Sequence, residues 1–269
     1  MNLIYKTAAD TFLLLKKHLS KRKHRKTYAR DELPLRAELF SSEQMKQHGK
    51  NLASLHQLTG KKATERLLER LHENEDVLIE TIRRLTTVVK ENNPVAPAEE
   101  WLLDNFYLIE ENIRTSKRHL SRGFSRGLPW LASGPSSGLP RVYDIAEEII
   151  SHGDGRVDLE NLVSFVTAYQ SVSCLKLGEL WAIPIMLRLT LIENLRRVAY
   201  RITWRSRHRD LAVKWAGRLT EAAREEPRLV MKKLADFVRA EPPLATPFIS
   251  ELAVNLEGAH PAIGLAIQW

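Results

Sequence analysis

ELWAIPIMLRLTLIENLRRVAYRITW, residues 179–204, decides how the rest of the chain is read. Leu180, Ile183, Leu187, Leu191, Leu195, Val198 and Ile202 recur every three or four positions, the spacing that lines one face of a helix. Ile185, Met186, Leu189 and Ile192 fall on other faces, so the first half of this helix is expected to be buried all round and to form the centre of the fold. Pro184 falls in the first turns, where its missing N–H costs little.

The same period recurs upstream. Leu67, Leu71, Leu78, Ile82, Leu85 and Val89 mark a long helix over 61–92 with one buried stripe, stopped at Asn92, Asn93 and Pro94. Before it, Ser41 and Gln44 have the spacing of a capping box, which starts a helix running to about Leu58. After it, Pro97 suits a first helical position. The helix that follows is acidic first and basic last, as the helix dipole favours. Further helices are expected at 141–151, 159–173, 208–224, 226–240 and 243–256. No β-alternation persists beyond a few residues. The sequence therefore predicts an all-α fold, a multi-helix bundle or irregular helical array of about 9–11 helices with no β-sheet.

Composition shifts divide the chain into a basic amphipathic head (1–30), an N-terminal helical part (31–120), a Gly/Pro/Ser-rich loop (121–140), a C-terminal helical part (141–257) and a tail (258–269). The tail is a possible truncation point. Residues 31–40 read as an extended linker. The loop, with four glycines and three prolines, is the loosest stretch and is expected to be mobile.

Charge is distributed just as unevenly. The head holds nine basic residues and one acid, net +8; the other 32 Lys/Arg and 32 Asp/Glu cancel. A neutral body argues against a broad nucleic-acid surface, and no nucleic acid is expected as a partner. The head pairs an apolar face, including Leu3 and Phe12, with Lys16, Lys17, Lys21, Arg22, Lys23, Arg25 and Lys26. That combination suits anionic lipid at a membrane surface, a partner, or a solvated arm. No run is long and apolar enough to span a bilayer.

The chemistry-bearing patterns are sparse. There is no glycine-rich phosphate loop, HExxH, GxSxG or CxxC, and Cys174 is the single cysteine. Glu100, Asp104 and Glu111 lie roughly on one face of the acid-rich helix, without a Glu-x-x-His partner, and are read as surface or docking residues. Arg196, Arg197 and Arg201 belong to a second basic region with Trp204, read the same way. HGDGRVD (152–158) resembles the start of a calcium loop but lacks its distal glutamate. Glu148 and His152 are four apart, but two ligands are too few for a zinc site. No catalytic residue, metal or cofactor is expected.

Four strings add a resemblance: PLRAELFSSEQMKQHGKNLA (34–53), EEWLLDNFYLIEENI (99–113), LPRVYDIAEEIISHGDGRVD (139–158) and LGELWAIPIMLRLTLIENLRR (177–197). Together they resemble the N-terminal region of bacterial cyclic β-1,2-glucan synthetases, over roughly residues 31–240. The resemblance implies a segment of a far longer inner-membrane enzyme. That enzyme builds a β-1,2-glucan from UDP-glucose on a protein tyrosine, cyclises it and exports it. It implies as partner the remainder of the same polypeptide, or its membrane glycosyltransferase, and a place on the cytoplasmic side of the inner membrane. The segment is then expected to be a non-catalytic helical scaffold. Two alternatives remain: it supplies or positions the protein-linked glucan acceptor, or it is an independent membrane-surface module. For the acceptor reading Tyr143, just after the 121–140 loop, is the candidate attachment residue; its other reading is a core aromatic beside Ile145 and Ala146.

Overall fold

The computed structural model of the chain describes residues 33–60, 66–120, 123–225 and 227–257, the side chains of 227–229 excepted. The head, with its lysine and arginine run, and the tail lie outside the described residues, as do 61–65. The described chain is almost wholly helical, with nine α-helices. These are α1 (Ser42–Leu55), α2 (Leu67–Lys90), α3 (Pro97–Asp104), α4 (Phe106–His119), α5 (Arg141–His152), α6 (Leu159–Gln170), α7 (Leu177–Glu225), α8 (Pro227–Arg239) and α9 (Thr246–Leu256). A minimal antiparallel ladder joins β1 (Leu58–Thr59) to β2 (Trp130–Leu131), pairing Leu58 with Leu131 and Thr59 with Trp130. Two residues a side are too few to show alternation in the sequence.

The chain forms two compact units, one through Tyr200 and one from Arg201. In the first, α1 starts as its sequence dictates: the Ser41 hydroxyl accepts from Gln44 N–H, and the Gln44 side chain accepts from Ser41 N–H at 2.8 Å. α1 packs closely on α6, because Gly49 lets the helices approach; a Cβ there would lie 2.9 Å from the Phe165 carbonyl oxygen. The α2 stripe is buried at Leu67, Leu71, Leu78, Ile82 and Leu85, while Val89 is half-buried. Fully burying one such leucine contributes about 1.5–3 kcal/mol. α2 packs on α3 and α4, which are separate helices because the backbone turns at Asn105.

In the second unit, Ala212, Trp215 and Phe248 form one buried cluster. Phe237 meets Trp215 edge-on, the ring centroids 5.2 Å apart. Ala216, Leu219, Ala222, Ala223, Val230 and Leu256 form a second. The recurring alanines on α7 bring α8 and α9 close without overpacking.

Three further sequence expectations change in the structure. The helices expected at 179–204 and 208–224 are one continuous helix, α7. RSRHRD (205–210) has no apolar positions, which reads as a break; arginine is nevertheless a good helix former, and no glycine or proline interrupts it. Secondly, the expected face of α7 is not its deepest. Full burial centres on Ala182, Met186, Leu189, Thr190 and Glu193, and the first half is not enclosed all round, since Trp181 is 72% exposed. Thirdly, the 121–140 stretch, expected to be mobile, is packed over its described part. A 3₁₀ turn (Phe124–Gly127) leads into β2. Leu131 N–H then donates to the Leu139 carbonyl, Gly138 N–H to the Leu131 carbonyl, and Ala132 N–H to the Gln57 carbonyl. Gly138 takes a φ of +77°, which a side chain would strain. Trp130, Leu131 and Leu139 are buried.

Candidate functional site

The chemistry-bearing side chains of the first unit converge where α2, α5 and α7 meet. Glu193, on the buried face of α7, is 1% exposed. A lone carboxylate there would be costly. Arg70 of α2 donates to it from both Nη2 and Nε, Arg197 one turn along α7 donates from Nη2 at 2.8 Å, and the Tyr143 hydroxyl donates at 2.8 Å. Burial pushes the Glu193 pKa up. The charges of Arg70 and Arg197, with hydrogen bonds from Arg197 and Tyr143, together outweigh that and hold it at about 2. Neighbouring Glu147 goes the other way. Burial and then the Glu193 charge push it up, against Arg197 and a hydrogen bond from Ser136.

Two further clusters fix the ends of α5. Arg141, at its start, grips Glu179 with Nε at 2.6 Å and Nη2 at 2.8 Å. It also donates to the Ser173 hydroxyl and the Cys174 carbonyl, which ties down the turn before α7. Beside it, His56 lies between Asp144 (Nε2 to Oδ2, 2.9 Å) and the Tyr169 hydroxyl (Nδ1, 2.7 Å). At the far end of α5, Glu148 Oε2 lies 2.7 Å from His48 Nε2 of α1 and 3.3 Å from His152 Nε2. Glu148 and His152 share a helix face at the spacing visible in the sequence. His48, one hundred residues away, is the member that sequence reasoning missed.

Residues 33–40 are extended, as expected, yet strapped down. Leu35 N–H donates to Asn194 Oδ1 at 2.8 Å, Ala37 N–H to the Ser151 carbonyl, and His152 Nδ1 lies 2.6 Å from the Glu38 carbonyl oxygen.

The sequence-derived site residues separate accordingly. Tyr143 is fully buried, not displayed by a mobile loop. Its hydroxyl donates to Glu193 and accepts from Arg70, and burial, then the Glu193 charge, pushes its pKa well up. An acceptor for a growing glucan must be reachable, and this oxygen is enclosed. Arg196 and Arg197 are likewise turned inward. Arg196 Nε donates to Asn74 Oδ1, and Arg197 meets Glu193, Glu147 and the Leu33 carbonyl. Arg201, Glu100, Asp104 and Glu111 are exposed. Trp101 (53% exposed), Tyr107 and Leu108 are exposed on the same α3–α4 pair as the three acids.

No family model matches the chain. It is 32% identical over 200 residues, 74% of its length, to the cyclic beta-(1,2)-glucan synthase NdvB of Rhizobium meliloti (strain 1021), and it spans about 7% of that protein's length. The homology is distant and partial, and it relates the chain to that synthase family in general terms.

Proposed function

We propose that the chain is a non-catalytic helical scaffold of a membrane cyclic β-1,2-glucan synthase and docks on its glycosyltransferase part. The 200-residue match to a cyclic β-(1,2)-glucan synthase carries the reading. The direction of the charges supports it. Glu193, Arg70, Arg197, Arg141 and Glu179 neutralise one another inside the helical body rather than converging on a substrate. The docking surface in this reading is the outer side of α3 and α4, where Trp101 and Leu108 stand exposed among Glu100, Asp104 and Glu111. Exposed apolar groups rimmed by charge mark interaction surfaces. Arg201 offers a second contact point.

The place of action in this reading is the cytoplasmic side of the inner membrane. No helix among the described residues is long and apolar enough to cross a bilayer. The +8 charge of the head favours a second, compatible reading, a membrane-surface module held by anionic lipid through Lys16, Lys17, Lys21, Arg22, Lys23, Arg25 and Lys26. Neutralising Lys21 to Lys26 then abolishes binding to anionic vesicles. The acceptor reading requires a hexose ladder on the Tyr143 peptide of glucan-loaded full-length protein; the burial of that hydroxyl supports the scaffold instead.

Co-purification tests the docking. The chain is expected to associate with the R. meliloti synthase lacking its matching segment. Trp101→Ala combined with Asp104→Lys is expected to weaken that association at least about tenfold, as loss of an aromatic anchor does. Undiminished association of the double variant would remove α3–α4 as the docking surface.

A further inference from the structure

We infer that His48, Glu148 and His152 form a binding site for one divalent first-row transition cation, of which Zn²⁺ is the natural occupant by ligand type. The three side chains each offer a ligand atom, and these atoms all lie within 4.8 Å of one another. Two imidazoles and one carboxylate are a familiar zinc set. With metal–ligand bonds of about 2.1 Å, tetrahedral ligand atoms sit about 3.4 Å apart. The contact of Glu148 to His152, 3.3 Å, is close to that spacing, and its contact to His48, 2.7 Å, is shorter and opens to it when an ion enters. The third edge, between the two imidazoles, is no longer than 4.8 Å.

The hydrogen bonds around the cluster are an independent indication. A carbonyl oxygen only accepts, so His152 Nδ1, 2.6 Å from the Glu38 carbonyl, must carry a proton. In the neutral ring this leaves a lone pair on Nε2, directed at the Glu148 carboxylate. A lone pair facing a carboxylate is repulsive; a cation between them turns it into coordination. A ligating histidine whose other nitrogen donates to a backbone carbonyl is the usual outer-shell arrangement. Phe40 stacks on the His152 ring with centroids 3.8 Å apart, which fixes its plane. The side chains keep 24%, 30% and 11% of their surface exposed, so the site is reachable from solvent. Its effect follows from where the ligands sit. It joins α1 to the last turn of α5 and, through Glu38 and Phe40, holds the strapped segment 33–40.

The test is calorimetric titration of the full-length, chelator-treated chain with Zn²⁺, with Mg²⁺ as comparison. One Zn²⁺ per chain is expected, with no comparable Mg²⁺ binding, since Mg²⁺ favours oxygen ligands. His152→Ala and His48→Gln are each expected to weaken Zn²⁺ binding by more than about tenfold, while a His18→Ala/His24→Ala variant leaves it intact. Circular dichroism confirms that each variant is folded. If one variant does not fold, Glu148→Gln replaces it. Absence of saturable Zn²⁺ binding would overturn the proposal. Binding that survives all the ligand substitutions would overturn it equally.

Discussion

Glu193 shows how much one residue decides. It is a buried carboxylate shared by Arg70, Arg197 and Tyr143, so removing its charge takes a counter-ion from two guanidinium groups, of which Arg197 also meets Glu147. Breaking a buried pair at one partner costs about 3–5 kcal/mol. Glu193→Gln is expected to lower stability by that order in urea unfolding. The pH dependence has a definite sign. The folded pKa, about 2, lies below the ordinary glutamate value of about 4.3. The stabilisation is therefore complete above about pH 4.3 and is lost as the pH falls towards 2. Glu147, raised by burial, contributes in the opposite sense, its stabilisation present at low pH and lost as pH rises through its raised value. Urea midpoints measured from pH 5 to pH 2 are expected to fall steeply in the native chain and to flatten in Glu193→Gln. The sequence places Arg197 one helical turn from Glu193, but not Arg70 and Tyr143, which lie 123 and 50 residues away and are brought to it only by the fold. The inward turn of Arg196 and Arg197 was hidden for the same reason.

At the scale of the element, local rules did better. Ser41 and Gln44 announced the start of α1, and the leucine spacing of α2 gave its buried face, because both depend on residues within a few turns. The order of 123–140 was not visible. Its glycines and prolines read as slack, while its hydrogen bonds go to Gln57 and β1, far away in the chain. Two substitutions test the elements. Gly49→Ala places a methyl 2.9 Å from the Phe165 carbonyl and is expected to cost about 1–3 kcal/mol through overpacking of α1 on α6. Arg207→Pro lies within the uninterrupted stretch of α7 and is expected to cost about 3 kcal/mol with a loss of helical circular dichroism, while Arg207→Ala stays near neutral. If Arg207→Pro were also neutral, residues 205–210 would be a loop.

Across the whole molecule, the four strings that carry the resemblance contribute much of the internal chemistry. Segment 34–53 supplies Leu35 and His48, segment 139–158 supplies Arg141, Tyr143, Glu148 and His152, and segment 177–197 supplies Glu179, Glu193, Asn194 and Arg197. In these three segments the distinctive residues hold helices together; segment 99–113 instead presents Trp101 and its acids outward. In the proposed reading such a body is a support, and the catalytic work falls to the part of the synthase it docks on. The most direct test is incorporation of labelled glucose from UDP-glucose by the R. meliloti synthase stripped of its matching segment, with and without this chain supplied in trans. The account predicts no incorporation by the chain alone, impaired glucan formation by the stripped enzyme, and recovery when the two are combined. Glucosyl transfer by the purified 269-residue chain alone would contradict it.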